Sequence, residues 1–151
     1  MRTRIHGNTR GLTRRVLREA IWFYADELKF KPHTQVHLWF SSKFPRSTGA
    51  EMWQQSNKNH YTIRCSSKNG PYKTLQDLAH EFLHVEQFQS GVMAENRKGT
   101  AWKGRLYRGD FMKQNDAYYN APWEIDANGR SYWLYKRCRL HLLRCGFRLR
   151  K

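Results

Sequence analysis

The sequence predicts an α+β fold, because its helical and strand patterns fall into separate blocks. Apolar residues recur at helical spacing over 12–31 and alternate with polar residues in three short segments within 34–65. Helical spacing returns over 74–90 and 122–143. We therefore expect a supporting helix, a small and mostly antiparallel sheet, and two further helices that follow it.

The boundaries of the first elements are predicted from capping and breaking residues. The first helix should take Thr9 or Thr13 as its N-cap and end before Pro32, since proline disfavours helical backbone in the residue before it. Three strands should follow, each predicted from alternation between turn residues. They cover 34–41, 51–55 and 60–65, and in the last of them Tyr61, Ile63 and Cys65 share a face.

The second helix contains His80-Glu81-Phe82-Leu83-His84, which is an H-E-x-x-H motif. Residues four apart lie on the same helix face, so His80 and His84 can direct two imidazole nitrogens at one point roughly 2 Å from each. Glu81 lies about 100° round the helix, where its carboxylate reaches a metal-bound water without ligating. Two such ligands with a neighbouring base are typical of zinc hydrolases.

The same helix is apolar around most of its circumference and should be buried, with Thr74 as its N-cap and Ser90-Gly91 as its end. Imidazole and carboxylate groups inside such a helix are costly unless they are paired or bound to metal. The competing interpretation is an ordinary core helix with two hydrogen-bonded histidines.

The last helix, expected from Pro122 to Gly146, offers a third ligand. Two histidines alone make an open site, so a catalytic zinc needs another protein ligand. Glu124 is the candidate, because a helix N-terminus favours a carboxylate, although the same preference also explains an acid with no further role. Asn128 on the same face can bind the outer nitrogen of a ligating histidine. Asp126 points about 200° away from Glu124 and is a poor ligand candidate.

Residues 92–119 show no sustained period. A segment of this length without regular structure is usually functional or flexible. Its aromatic residues could therefore border the metal site or simply cover the core.

Basic residues are concentrated at both ends of the chain. The sequence has 28 Lys+Arg against 12 Asp+Glu, and the charge of +16 is carried largely by 1–18 and 127–151, which contain no acid. We expect one domain at 12–146, with a loose basic arm at 1–11 and a basic tail at 147–151. Such arms suit nucleic acid or another polyanion, whereas the alternative is a solvated surface that only confers solubility.

The three cysteines form no C-x-x-C pair, which argues against a disulfide scaffold and for a reducing compartment. Cys138 and Cys145 lie seven apart and are expected to be buried packing residues. The N-terminus lacks the apolar run of a signal peptide, and the longest apolar run, AIWFYA, is too short to cross a bilayer. We expect a cytoplasmic protein with no membrane partner.

These motifs together resemble the gluzincin pattern of zinc metallopeptidases, in which the histidine helix is followed by a helix with Glu-x-x-Ala-Asn/Asp. More closely, HEFLHVEQFQSG, TAWKGRLY and YYNAPWEIDA resemble a family of small phage-encoded zinc metallopeptidases. That family carries an H-E-x-x-H-x-x-Q helix, a W-x-G-x-x-Y segment and a P-W-E-x-E-A helix. The resemblance covers residues 75–128 and departs at Asp126, where the family usually has glutamate and where a side chain facing away from the metal should matter little.

The resemblance implies a minimal zincin-like fold, a Zn²⁺ cofactor, a peptide or protein substrate, and a place in the host-cell cytoplasm or on the virion. Carried over residue by residue, the zinc ligands are His80, His84 and Glu124, and the general base is Glu81. The middle motif, to which no role is assigned, contains Trp102, Gly104 and Tyr107.

The expected reaction is peptide hydrolysis, in which Glu81 takes a proton from a metal-activated water and passes it to the leaving amine. The peptide can lie as an added strand along the sheet edge. The oxyanion needs a donor besides the metal, and the candidates are Tyr107, Tyr118, Tyr119 and His141. The alternative function is a basic, non-enzymatic protein that binds nucleic acid or the virion and has a structural or vestigial metal site.

Overall fold

The computed structural model describes residues 1–44, 49–108 and 118–149, and these form an α+β structure as predicted. In chain order the elements are β1 (Arg2–His6), α1 (Arg14–Glu27), β2 (Gln35–Ser41), β3 (Ala50–Gln54), β4 (His60–Ser66), α2 (Pro71–Ser90), β5 (Met93–Asn96), β6 (Gly99–Trp102), β7 (Arg105–Arg108) and α3 (Pro122–Arg144). The three predicted strands and three predicted helices are all present.

The larger sheet has four strands in the order β1-β2-β4-β3. β1 pairs with β2, and β2 with β4, in parallel, whereas β3 pairs with β4 antiparallel. The prediction of a mostly antiparallel sheet is therefore wrong. Parallel neighbours need a long crossover connection, and α1 provides one between β1 and β2.

β1 lies where the sequence predicts a loose arm at residues 1–11, so that prediction is corrected for Arg2–His6. Ile5 aligns with Leu38 of β2 and packs against the core, while Arg2 and Arg4 are exposed. With so little apolar content, RTRIH shows too weak an alternation to be recognised as a strand. The unrecognised β1 accounts for one of the two parallel pairings; the other joins β2 and β4, two predicted strands whose relative direction is set by tertiary contacts.

The helices pack against one face of this sheet, and the main core lies between them. The alternation predicted for β4 is confirmed, since Tyr61, Ile63 and Cys65 are buried on that face. On the helical side, α1 begins after Thr13, whose side chain accepts a hydrogen bond from the backbone N–H of Val16. Of the two predicted N-caps, Thr13 is therefore the one that is used.

α2 is the central helix and packs against both β3 and α3. It begins at Pro71 with Gly70 as N-cap, so Thr74, the predicted N-cap, lies buried inside the helix. Proline is pre-organised for the first helical position, which moves the start upstream. The end of the helix is as predicted, since Gly91 adopts a left-handed φ of 78°.

A second, three-stranded antiparallel sheet of β5, β6 and β7 follows α2. The prediction that residues 92–119 lack regular structure is wrong for this part, and 109–117 lie outside the described ranges. Each strand has only four residues, too few to reveal an alternation. Lys103 and Gly104, with φ values of 48° and 82°, connect β6 to β7 by a tight two-residue turn.

This small sheet supports the N-terminus of α3. Trp102 and Tyr107 pack around the buried Trp123, and the rings of Tyr107 and Trp123 meet edge to face at 5.5 Å. Gly104 supplies the turn between the two strands that carry these aromatic residues. The W-x-G-x-x-Y segment therefore has a structural role beside Glu124, a role that its spacing did not reveal.

α3 ends at Arg144, with Cys145 as its C-cap and Gly146 in a left-handed conformation, close to the predicted end. Although it spans 23 residues, it is too polar to cross a lipid bilayer. The same holds for the other helices in the described part of the chain.

Candidate metal centre

Three side chains predicted as ligands meet where α2 packs against α3. The Nε2 atoms of His80 and His84 lie 3.0 Å apart. The carboxylate of Glu124 places Oε2 3.2 Å from His80 Nε2 and Oε1 3.3 Å from His84 Nε2. Two ligand atoms of a tetrahedral zinc site lie roughly 3.3 Å apart when each is about 2.0 Å from the metal. The three donors therefore fit a common position for one zinc ion.

The hydrogen bonding of His84 supports a cation at this position. Its Nδ1 lies 2.8 Å from Oε1 of Gln87, which can only accept, so Nδ1 carries the proton. In the neutral ring Nε2 is then a bare lone pair, and it faces a carboxylate oxygen of Glu124. Two electron-rich atoms at this distance need a proton or a metal cation between them.

Gln87 is held in that orientation by two acceptors. Its Nε2 donates to the backbone oxygen of Trp123 at 3.0 Å and to Oδ2 of Asp126 at 2.9 Å. The opposite orientation of the Gln87 amide would place its oxygen against the oxygen of Trp123 and the oxygen of Asp126. Asp126 also binds Arg130, so the expectation that Asp126 matters little is corrected: it does not ligate, but it fixes the amide that orients His84.

Replacing Gln87 with methionine should weaken zinc binding by about 10- to 100-fold, because His84 loses the partner that fixes its tautomer. Gln89→Met on the same helix is the matched control, since Gln89 binds Thr34 and Lys31 instead. Competition with a metal chelator measures both affinities. Equal zinc affinity in Gln87→Met and the parent would show that Gln87 does not orient the ligand.

Asn128 lines the cavity beside the three donors and is exposed. The outer nitrogen of His84 is bound by Gln87, so Asn128 does not hold that histidine as predicted. A role for Asn128 toward His80 stays a prediction.

Glu81 is buried next to the three donors and lines the same cavity. Burial raises its pKa to about 7, although the neighbouring His84 and His80 act in the opposite direction. A carboxyl group with a pKa near neutral pH is well matched to accepting and then returning a proton.

In the metal-free protein, Glu81→Gln should increase stability at pH 8 and change it little at pH 5. The pKa of Glu81 is about 7 in the folded chain against an ordinary value of 4.5. Because the folded pKa is raised, the stability linked to this group is present below pH 4.5 and is lost as pH rises through 7. Glutamine has no such charge to bury.

Thermal unfolding of the chelator-treated proteins at the two pH values measures this effect. Glu95→Gln, which changes an exposed acid of β5, is the control and should be neutral at both. A Glu81→Gln variant less stable than the parent at pH 8 would contradict the account of a buried, destabilising carboxylate.

The pKa of Glu124 is shifted in the opposite direction from that of Glu81. Its burial would raise its pKa, but hydrogen bonds and charge interactions with His80 and His84 outweigh this and lower the pKa to about 2. For His84, burial lowers the pKa, yet the hydrogen bond to Glu124 and the charges of Glu81 and Glu124 give a net increase. The Glu124 carboxylate is thus kept ionised beside the two histidines, while the Glu81 carboxylate binds a proton more readily.

The donors open onto a cavity of about 680 Å³ between α2, α3 and β3. His80, Glu81 and Glu124 lie on its wall, and Glu51 of β3 lies on the same wall. A second cavity of about 250 Å³ continues along β3, with Trp53 and His84 among its lining residues. The site is therefore accessible along an edge strand.

The four candidate oxyanion donors differ in their position relative to the three converging side chains. Tyr118 lines both cavities, and burial followed by the charge of Glu124 and a hydrogen bond to it raises the pKa of its hydroxyl. Tyr119 lines the larger cavity but is 70% exposed, against 41% for Tyr118. Tyr107 packs on Trp123 in the support described above. The geometry therefore favours Tyr118.

His141 lies 17 residues after Glu124 on α3, about 25 Å along the helix axis, so the structure does not bring this candidate to the site. Its Nε2 lies 2.6 Å from Oε1 of Glu19 and 3.6 Å from Sγ of Cys145. Of the two cysteines expected to be buried, Cys138 is buried but Cys145 is exposed, so the expectation is corrected for Cys145. Glu19, His141 and Cys145 are a second group whose donor atoms converge.

Comparison of the chain with protein-family models, with curated proteins and with solved structures gave no match. The function is therefore inferred from the geometry of the site alone.

Proposed function

We propose that this protein is a zinc-dependent peptidase whose ligands are His80, His84 and Glu124 and whose general base is Glu81. The observation that carries the proposal is the convergence of three side chains beside a buried glutamate: the two histidine Nε2 atoms lie 3.0 Å apart, and the two carboxylate oxygens of Glu124 lie 3.2 and 3.3 Å from them. A zincin-like arrangement of the fold is part of this proposal.

Two imidazoles and one carboxylate are a donor set that suits zinc, and three protein ligands leave a fourth position for water or substrate. A zinc ion there would supply Lewis acidity, both to polarise a carbonyl group and to lower the pKa of a bound water. All three donors face the larger cavity or its continuation along β3, so the free position would point toward a substrate.

Glu81 would act as the proton carrier of the reaction. It would take a proton from the attacking water and return it to the amine that leaves. Its burial supports this role, because a desolvated carboxylate binds a proton more readily than an exposed one. Tyr118 would donate its hydroxyl hydrogen to the developing oxyanion, since it already lies against Glu124 with its proton held by the raised pKa.

β3 would bind the substrate. It is one of the two edge strands of the four-stranded sheet in the described part of the chain, and its residues line both cavities. An extended peptide could pair with its free backbone groups and pass the ligand triad. This favours an unfolded or extended protein segment as the substrate over a folded surface.

The test is hydrolysis of an unfolded protein by the purified chain, followed by separation of the peptides. Chelation should abolish the cleavage and added zinc should restore it. Cys145→Ser, which removes one member of the second convergent group, should cleave as the parent does. Cleavage that survives complete removal of metal would overturn the proposal.

A further inference from the structure

The outer face of the four-stranded sheet, away from the core, remains open in the described part of the chain. Side chains on this face alternate with buried ones along β2 and β4, so that Trp39 is 45% exposed between the buried Leu38 and Phe40. Trp53 on β3 is also exposed, at 37%. Exposed aromatic side chains that share one sheet face form a candidate interaction surface.

The strand register arranges this outer face in two rows. The first row consists of Arg4, His37, Thr62 and Trp53, and the second consists of His6, Trp39, Arg64 and Glu51. Glu51, at the β3 edge, is the acid among these eight residues. The face therefore combines aromatic rings with positive charge.

The flat groups on the face are already stacked on one another. The rings of His6 and Trp39 lie 3.9 Å apart at an interplanar angle of 9°. The guanidinium of Arg64 lies over the Trp53 ring, 4.9 Å from its centroid. Such pre-ordered planar groups can extend their stack onto another flat ring with little loss of side-chain entropy.

A cavity of about 540 Å³ lies beside these stacks, with Trp39 and Phe44 among its walls and Lys43 and Arg64 at its sides. This volume is within the usual range for small-ligand sites and is large enough for a nucleotide. The aromatic walls suit a base, and the two cations suit a phosphate.

The electrostatic environment also selects an anionic partner. Besides burial, the charges of Arg4, His6 and His60 lower the pKa of His37, which shows how closely cationic groups are gathered around it. The whole chain carries a formal net charge of +16. A polyanion would be attracted to this face over a long range at low ionic strength.

We propose that the outer sheet face binds single-stranded nucleic acid, with bases stacked on Trp39 and Trp53 and phosphates on Arg4, Lys43 and Arg64. A single strand is favoured over a duplex because the exposed rings can be used only by unpaired bases. Four strands about 4.8 Å apart give room for about two or three nucleotides across the sheet. The face meets the cavities of the candidate metal centre at the β3 edge, where Glu51 and Trp53 line them, whereas Trp39, Lys43 and Arg64 line neither cavity.

The test is fluorescence anisotropy of a labelled single-stranded oligonucleotide titrated with the full chain, in DNA and RNA forms, with a duplex of the same sequence alongside. Trp39→Ala should raise the Kd for the single strand by about tenfold or more. Trp133→Ala, which removes a still more exposed tryptophan (68%) from α3, is the control and should leave the Kd unchanged.

A salt series separates stacking from charge. Arg64→Gln should weaken binding and reduce the salt slope by about 1, whereas Trp39→Ala should leave the slope unchanged. Arg144→Gln, an equal loss of charge at the exposed end of α3, is the control for this step and should keep the full slope.

The proposal is overturned if the duplex binds as tightly as the single strand and Trp39→Ala has no effect, since binding would then be non-specific electrostatics. It is also overturned if an acidic peptide, added at the same concentration as the oligonucleotide, displaces it from the parent and Trp39→Ala abolishes binding of that peptide. This result would assign the face to a protein partner. Circular dichroism of each variant verifies that the fold is retained. Peptidase activity is measured separately, so failure of either proposal does not affect the other.

Discussion

Glu81→Gln should reduce the rate of peptide hydrolysis by about two to four orders of magnitude, the usual contribution of a positioned general base. Glutamine has the size of glutamate and cannot accept the proton of the attacking water. The zinc content should stay at the parental value, because Glu81 is beside the three converging donors and not among them. Metal analysis and a cleavage assay on the same preparation give the two quantities.

The contrast with the stability of the same variant sharpens this prediction. A loss of activity caused by misfolding would be accompanied by a lower unfolding temperature, whereas removal of a buried charge should not lower it at pH 8. A variant that keeps zinc and cleaves as fast as the parent would exclude Glu81 as the base.

Glu124→Gln should weaken zinc binding by more than the about 10- to 100-fold expected for an orienting partner such as Gln87. The reason is that the carboxylate would contribute one of three donors and a formal negative charge, whereas an amide oxygen is a weaker donor and carries no charge. Its low pKa of about 2 means that the charge is present throughout the neutral pH range. The thermal stabilisation that zinc gives the parent should be lost in the variant.

Glu51→Gln is the matched control, since Glu51 lines the same cavity and its replacement removes the same charge without removing a donor. It should keep most of the zinc-dependent shift in unfolding temperature. Both variants are best compared in a Cys145→Ser background, so that zinc held by Glu19, His141 and Cys145 does not mask the result. Retention of the full shift in Glu124→Gln would remove Glu124 from the ligand set.

Much of the candidate site could be predicted because its residues occur at short, fixed spacings in the sequence. The i, i+4 relation of His80 and His84 fixes two donors on one face whatever the rest of the fold does. Glu124 followed from the need for a third ligand near a helix N-terminus. The role of Gln87 was missed even though it lies three residues after His84 on the same helix, because only the tertiary contact with α3 shows what its amide binds.

Sheet type and topology were less predictable, for a physical reason. The pairing of β1 with β2 is decided by long-range contacts, and the only local sign of β1 is one core-facing apolar residue, Ile5. The meander of β5 to β7 has strands too short for any periodicity, although the glycine turn at Lys103-Gly104 was a usable sign of a hairpin. Local patterns thus specified the helices better than the strand pairings.

The most direct measurement is a crystal structure of the zinc-loaded protein with anomalous diffraction collected at the zinc absorption edge. The account predicts a peak within about 2.3 Å of His80 Nε2, His84 Nε2 and a carboxylate oxygen of Glu124, with a fourth position open toward the β3 cavity. A zinc peak only at Glu19, His141 and Cys145, or no peak beside His80 and His84, would contradict it.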